Sequence, residues 1–276
     1  MNVIVGVRRA SVALAFLLFA AVVPVQSLAA EYQPEVGQEG KDVVWVPTAQ
    51  SLVDRMLDMA KLTARDIHYD LGSGDGRTVI TAAKRGATAF GVEYNPDMVQ
   101  LSRRNAEKAG ITGKATFIHG DIFETDFSKA TVITLFLLPE LNVKLRPTIL
   151  KMKPGTRVVS NSFSMGDWKH DDSQSAPGDC TSYCTAYLWI VPANVEGTWL
   201  SGRDEIKFAQ EFQMVHGSMS STGGKVAPVL NGRIRGDQIG FTSGNARYEG
   251  KVNGNRIEGT VTSGGKTTSW SATRKG

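Results

Sequence analysis

Between about residue 31 and residue 192 the hydrophobic positions alternate between two rhythms. Leu52, Val53, Met56, Leu57 and Ala60 recur at helical spacing after Pro47 and Thr48, which predicts a helix with Thr48 as its N-cap. Residues 67–71 read as a short strand that runs into a glycine-rich turn. A helix follows over residues 77–85 and stops at Gly86; residues 87–92 form a second strand. Asn95 and Pro96 suit the N-cap and first position of a helix that ends at Gly110. Residues 115–118 give a third strand. Residues 131–138 are a continuous apolar run, as expected of a strand buried on both faces. Residues 139–152 read as a helix with Pro147 as an interior break, and residues 156–160 as a fifth strand. Alternation of this kind predicts an α/β domain with a mostly parallel, doubly wound sheet covered on both faces.

The rhythm changes after Pro192. Gly, Ser and Thr become frequent and apolar residues alternate with period two, as at Ile206, Phe208, Phe212 and Met214. Gly232, Ile234, Gly236 and Ile239 are repeated as Gly250, Val252, Gly254 and Ile257. Each copy sets Gly-Asp or Gly-Asn between two alternating arms, the chemistry of a tight hairpin turn. The expectation is a small antiparallel all-β domain, a meander closed or nearly closed into a barrel or sandwich. The domains are therefore read as a signal peptide over residues 1–29, the α/β domain over 30–192 and the β domain over 193–276, the last able to fold alone.

The first thirty residues follow another pattern. Arg8 and Arg9 precede an apolar run from Ala10 to Val23, broken by Pro24, and Ser27 and Ala29 are small residues at the positions a signal peptidase reads. The run is short for a bilayer span, so cleavage is favoured over an anchor, and the mature chain would begin at Ala30 or Glu31. Location is thus expected to be periplasmic or extracellular, with no stable membrane span after cleavage. Losing the arginine pair lowers the formal net charge of +4 by two. No basic stripe with interleaved aromatics is present, so nucleic acid is not an expected partner. A hydrophobic content of 41% with 21% charged residues is that of an ordinary globular chain.

The chemistry concentrates in Asp70-Leu71-Gly72-Ser73-Gly74-Asp75-Gly76-Arg77, at a strand-to-helix turn where open α/β sheets bind ligands. A dinucleotide fingerprint would need glycine where Arg77 stands. Asp70 beside the loop would repel a diphosphate but suits a cationic ammonium. Glu93 ends the second strand, where an acid accepts both hydroxyls of an adenosine ribose. Asp121 follows the third strand, next to Ile122, in position to meet an adenine amino group.

These residues resemble the class I, Rossmann-like S-adenosylmethionine-dependent methyltransferases, over roughly residues 45–190. The resemblance is closest to two lysine-modifying branches: the mitochondrial ATP-synthase c-subunit and nucleotide-translocase lysine methyltransferases, and the non-SET histone-lysine methyltransferases. Shared words are the Asp70 to Arg77 run, Gly91-Val92-Glu93-Tyr94-Asn95-Pro96, Pro139-Glu140-Leu141, and the run from Gly155 to Ser160. The resemblance implies that Asp70, Gly72, Ser73, Gly74, Gly76, Glu93, Asp121 and Ile122 bind S-adenosylmethionine, with Thr48 covering it. It also implies a protein partner as substrate. The histone enzymes carry paired Asn residues at the end of the fourth strand, whereas this chain has Thr134-Leu135-Phe136-Leu137, so the lip that meets the acceptor differs.

Methyl transfer from a sulfonium is an in-line displacement that needs positioning and desolvation more than acid–base help. Phe136, Leu137, Leu138 and Pro139 would form a dry channel for a lysine side chain, or Phe136 to Leu138 would simply be core; Glu140 would draw in the ammonium. Leu138, Pro139 and Glu140 are the candidate catalytic positions. Two other readings stand beside this one: a small-molecule methyltransferase, and an exported nucleoside-binding protein without turnover. Cys180 and Cys184 are the only cysteines, open to a disulfide, two free thiols or a metal site with His170, Asp171 and Asp172. Their spacing matches no established zinc pattern, and no metal is expected. Trp168, Trp189, Trp199 and Trp270 are read as packing residues, and His68 and His119 as structural.

Overall fold

A computed structural model describes residues 1–3, 6, 31–178, 180–221 and 223–276. The expected signal at residues 1–29 falls almost wholly outside the described residues. Residues 1–32 and 33–276 separate as two units, and everything below concerns the second.

In chain order the α/β part runs α1 (Gln50–Met59), β1 (Ile67–Leu71), α2 (Arg77–Lys84), β2 (Thr88–Glu93), α3 (Pro96–Lys108), β3 (Ala115–His119), β4 (Val132–Leu135), α4 (Pro139–Leu150) and β5 (Arg157–Asn161). A hairpin follows, β6 (Asp172–Ser175) and β7 (Thr185–Ile190). The sheet order is β3-β2-β1-β4-β5-β7-β6. The first five strands are parallel, and β7 and β6 add antiparallel strands at one edge.

Alternation along each strand divides the core between the two faces. Ile133, Leu135 and Val158 pack with Leu145 and Ile149 of α4. Val132 and Val159 point the other way, onto Leu52 and Met56 of α1. Val79 and Ala82 of α2 and Val99 of α3 extend that second face. Pro147 does lie inside α4. An interior proline costs a helix about 3 kcal/mol, which the fully buried Leu145 and Ile149 beside it offset at ~1.5–3 kcal/mol each.

Two expectations are corrected. The N-cap of α1 is Ala49, with no side-chain cap; Thr48 instead accepts Arg77 on its carbonyl and Asn161 on its hydroxyl. The fourth strand ends at Leu135, so Phe136, Leu137 and Leu138 form a loop. His68 lies within β1 and is fully buried, in keeping with a structural part.

The remaining strands are β8 (Gly197–Ser201), β9 (Asp204–Glu211), β10 (Met214–Ser220), β11 (Val226–Arg235), β12 (Gln238–Ser243), β13 (Ala246–Asn253), β14 (Arg256–Ser263) and β15 (Lys266–Arg274). They close into an antiparallel barrel, with β15 returning to β8. Closure removes the exposed edges that an open sheet would present. The repeat seen in the sequence supplies two of its hairpins. Gly236 and Gly254 open the turns at φ +62° and +57°, left-handed values that glycine adopts without a Cβ penalty. Trp199, Phe208, Phe241, Tyr248 and Trp270 fill the interior. Phe241 and Tyr248 stack with centroids 4.7 Å apart.

The barrel meets the α/β part along the loop before β6 and at the end of β7. Phe212 stacks on Trp168 at 5.9 Å. Gln213 donates to the Lys169 carbonyl, and Arg233 pairs with Asp171 at 2.6 Å. Trp168, Trp189 and Trp199 are fully buried and Trp270 nearly so, as expected of packing residues. Among the described residues no helix is long and apolar enough to cross a membrane.

Candidate active site

A cavity of about 390 Å³ opens at the carboxyl ends of β1 to β5. That volume lies in the range of small-ligand sites, at the position where open α/β sheets take ligands. Thr48, Asp70, Gly72, Ser73, Gly74, Glu93, Asp121, Ile122 and Leu138 all line it. Gly76, Pro139 and Glu140 do not.

The glycine loop is fixed to β2, because Gly72 and Ser73 both donate to the Val92 carbonyl. Gly74 has φ +54°, and a Cβ there would stand 2.6 Å from the Trp45 indole nitrogen. Gly76 has φ +82° and ends the turn as the N-cap of α2. A Cβ there would strike Phe117 at 2.7 Å, so this glycine serves helix-to-sheet packing.

Three acids converge on the loop side. Glu93 accepts the Gly74 and Asn95 backbone N–H groups at 2.9 Å, one on each oxygen. Each oxygen keeps a further lone pair for a ligand hydroxyl. Asp121 accepts the Phe123 N–H and forms an ion pair with Lys41, which holds its carboxyl below the usual range. Asp70 is the deepest. Burial pushes its carboxyl up to about 7, with Asp75 and Glu93 adding repulsion and hydrogen bonds from Thr134 and Thr78 opposing. Thr134 donates to Asp70 at 2.6 Å while sharing its hydroxyl oxygen with His68 Nε2 at 2.9 Å. Burial drives the His68 imidazole down to about 3, so it is neutral and carries its proton on Nε2.

Sequence reasoning missed several members of this site. Residues 38–48 form one wall, with Trp45 on the glycine loop and Lys41 over the Tyr94 ring at 4.9 Å. Phe163 after β5 and Tyr183 before β7 line the cavity beside Phe136. No local motif marks these aromatics; their only common signal is a position next to a strand end. Cys180 and Cys184 are joined as a disulfide, which resolves the three readings of that pair. Among the described residues no three His, Cys, Asp or Glu side chains cluster as a metal site.

A seven-stranded mixed sheet with a glycine loop and acids at the ends of β1, β2 and β3 defines the Rossmann-like methyltransferase class. Comparison with known proteins agrees. Residues 70–172 match the ANTKMT methyltransferase domain. A protein-lysine N-methyltransferase of Saccharolobus islandicus is 43% identical over 152 residues, which are 54% of this chain and 94% of that protein. The mouse lysine N-methyltransferase of the ATP-synthase c-subunit is 34% identical over 46% of this chain, which spans about half (51%) of that relative's length. A crystal structure described as an RNA methyltransferase from Salinibacter ruber, in complex with S-adenosyl-L-homocysteine, is 46% identical. It aligns with a TM-score of 0.51 over 54% of this chain and 96% of that one. The chain belongs to the family of the protein-lysine N-methyltransferases, and it is an S-adenosylmethionine-dependent methyltransferase.

Proposed function

We propose that the chain methylates a lysine amine of a protein substrate, with the donor held by the residues at the ends of β1, β2 and β3. The observation that carries this reading is the division of one cavity into an acidic, glycine-floored half and an apolar, aromatic half. The first half fits the donor. Buried Asp70 faces an ammonium, the free lone pairs of Glu93 accept ribose hydroxyls, and Asp121 with nearly buried Ile122 meets the adenine edge and face. Gly72 and Gly74 let the donor approach the backbone, and Thr48, held by Arg77 and Asn161, lines the same cavity.

S-adenosylmethionine supplies an electrophilic methyl group on a sulfonium centre. What this chain's residues add is placement and exclusion of water. Leu137 is buried and Leu138 half-exposed, so the loop after β4 offers the incoming amine an apolar passage in which its lone pair is not tied up by solvent. Glu140 is exposed in the first turn of α4 and outside the cavity, so its part is attraction of a lysine toward the rim. The Salinibacter ruber relative is described as acting on RNA, which makes RNA the second acceptor class to test.

The chain is further proposed to act outside the cytoplasm after signal cleavage. The Cys180–Cys184 disulfide supports this, since such bonds persist in oxidising compartments. The methyl donor is made in the cytoplasm, so it must leave bound to the protein or reach the far side by transport. The test is transfer of labelled methyl groups into protein, RNA and small-molecule fractions of envelope and cytoplasm, with mass spectrometry of the labelled residues. Label confined to RNA or to small molecules would overturn the lysine reading. An intact Met1 on a soluble cytoplasmic pool would overturn export.

A further inference from the structure

Three aromatic side chains from separate parts of the chain meet in the half of the cavity away from the acids. Phe136 follows β4, Phe163 follows β5, and Tyr183 sits in the loop 176–184 between β6 and β7. Their ring centroids are 6.0 Å apart for Phe136–Phe163, 5.3 Å for Phe136–Tyr183 and 5.7 Å for Phe163–Tyr183. All three line the cavity. Tyr183 is 45% exposed, so it is no ordinary core residue.

The backbone around this cluster is held in unusual conformations. Ser162, just before Phe163, has φ +57°, and Tyr183 has φ +55°. A non-glycine residue in that region is uncommon and persists where its surroundings impose it. Those surroundings are visible. Buried Asn142 of α4 donates to the Phe163 and Ser164 carbonyls. Ser162 donates its N–H to the Thr185 carbonyl at 2.7 Å, tying the Phe163 turn to the strand that leaves the Tyr183 loop. The disulfide from Cys180 to Cys184 closes a ring that contains Tyr183, and Ala176 donates to the Cys184 carbonyl at its base.

We propose that Phe136, Phe163 and Tyr183 form the wall that receives the acceptor, a lysine side chain and its methylated forms, and that the Cys180–Cys184 disulfide holds Tyr183 in that wall. This rests on the lysine reading above. In the transfer the amine lone pair forms the new N–C bond, and the electron pair of the S–C bond goes to sulfur, leaving a neutral thioether. The positive charge passes from sulfur to nitrogen; after the first and second transfers a proton leaves the ammonium for solvent, and after the third the quaternary nitrogen has none to lose and keeps its charge. Aromatic rings attract a desolvated cation and have no such attraction for the neutral amine. The wall therefore stabilises the charge as it arrives on nitrogen, which lowers the barrier instead of only binding substrate. It also accepts nitrogen at every methylation state.

The test uses the full chain saturated with S-adenosylhomocysteine and two probes: Nε-trimethyl-lysine amide, and its carbon isostere in which C(CH3)3 replaces N(CH3)3+. Calorimetry is expected to show the cation bound about tenfold or more tightly than the isostere. Tyr183→Ala should remove most of that preference and Tyr183→Phe should keep it. The Cys180→Ser/Cys184→Ser double variant should lose it to a similar extent, and all variants should keep the wild-type affinity for S-adenosylhomocysteine. A wild type without preference, or a Tyr183→Ala variant that retains it, overturns the proposal even if lysine is the labelled residue in the methyl-transfer assay. A preference that behaves as expected in a chain that labels no lysine overturns the lysine reading, and with it the assignment of this wall to lysine.

Discussion

The two halves of the cavity are built in opposite ways. The donor half is assembled from the glycine turn after β1 and the acids at the ends of β1, β2 and β3, residues that sit in recognisable motifs and act through charge and backbone: Asp70, Gly72, Glu93 and Asp121. The acceptor half is assembled from side chains that come together from three distant loops and act through apolar and ring surfaces: Phe136, Phe163 and Tyr183. A half that binds one fixed molecule is written locally, because each polar group must answer one ligand atom. A half that admits a side chain from another molecule needs only shape and polarisable surface, which many loop sequences supply. Variants should therefore separate the two halves cleanly.

The largest effect is expected at Glu93. Glu93→Ala removes the ribose acceptor and also frees the Gly74 and Asn95 N–H groups that the carboxylate holds. Hydrogen bonds to a charged group contribute about 1.5–3 kcal/mol, so S-adenosylhomocysteine affinity should fall by roughly 10- to 150-fold. The cation preference of the aromatic wall, measured with donor product still at saturation, should stay as in wild type. Equal donor affinity in calorimetry would remove Glu93 from the site; a lost cation preference would mean the halves are not separable.

Next comes pH. The Asp70 carboxyl is raised to about 7 by burial, so in the folded chain it holds a proton that the unfolded chain releases near 3.8. Its burial therefore lowers stability progressively as pH rises from about 4 to about 7. A donor ammonium needs Asp70 ionised. Affinity for S-adenosylhomocysteine should thus level off above about 7 and fall by at most about tenfold per pH unit below it. Thr134 and Thr78 favour the ionised form, Asp75 and Glu93 oppose it, and His68 stays neutral throughout. Asp70→Asn should weaken binding and flatten the profile. A profile unchanged in that variant would assign the pH dependence elsewhere.

The same contrast explains what could be read from the sequence. The parallel strands, the glycine turn and the hairpins at Gly236 and Gly254 were legible because each depends on a local requirement: an apolar run, a positive φ, a two-residue turn. The hairpin of β6 and β7 was not. Asp172–Ser175 is polar, pairs at an edge, and carries no alternation to detect. Thr48 looked like a cap by residue type, yet its groups serve Arg77 and Asn161, both far away in sequence. Trp45 and Lys41 lie before the first helix, in a stretch with no periodic pattern, and Tyr183 lies inside a disulfide loop. Long-range placement of this kind leaves no local trace.

The smallest effect is expected where the two domains meet, and it asks whether the barrel is as separable as the halves of the cavity. Residues 193–276 have their own core around Trp199, Phe208 and Phe241, and a closed sheet needs no neighbour to cover its edges. Yet the seam is specific. Asp171 has a side chain only 1% exposed, and its carboxylate accepts the Ile190 N–H on one oxygen and Arg233 of the barrel on the other. Arg233→Ala would leave a buried acid with one partner in place of two. Arg233 itself is 48% exposed, and solvent can reach the seam to replace part of what it gives, so the cost should be about 1 kcal/mol. For a chain of this size that lowers the melting temperature by roughly 2–4 °C. The loss should fall on the α/β part, which keeps Asp171 with the Ile190 N–H as its remaining partner. The barrel, whose core the substitution does not touch, should melt as before, and the isolated fragment 193–276 should give a dispersed amide spectrum. A drop of equal size in both transitions, or a fragment that is disordered alone, would mean the seam is shared core and the barrel a dependent extension of the catalytic domain.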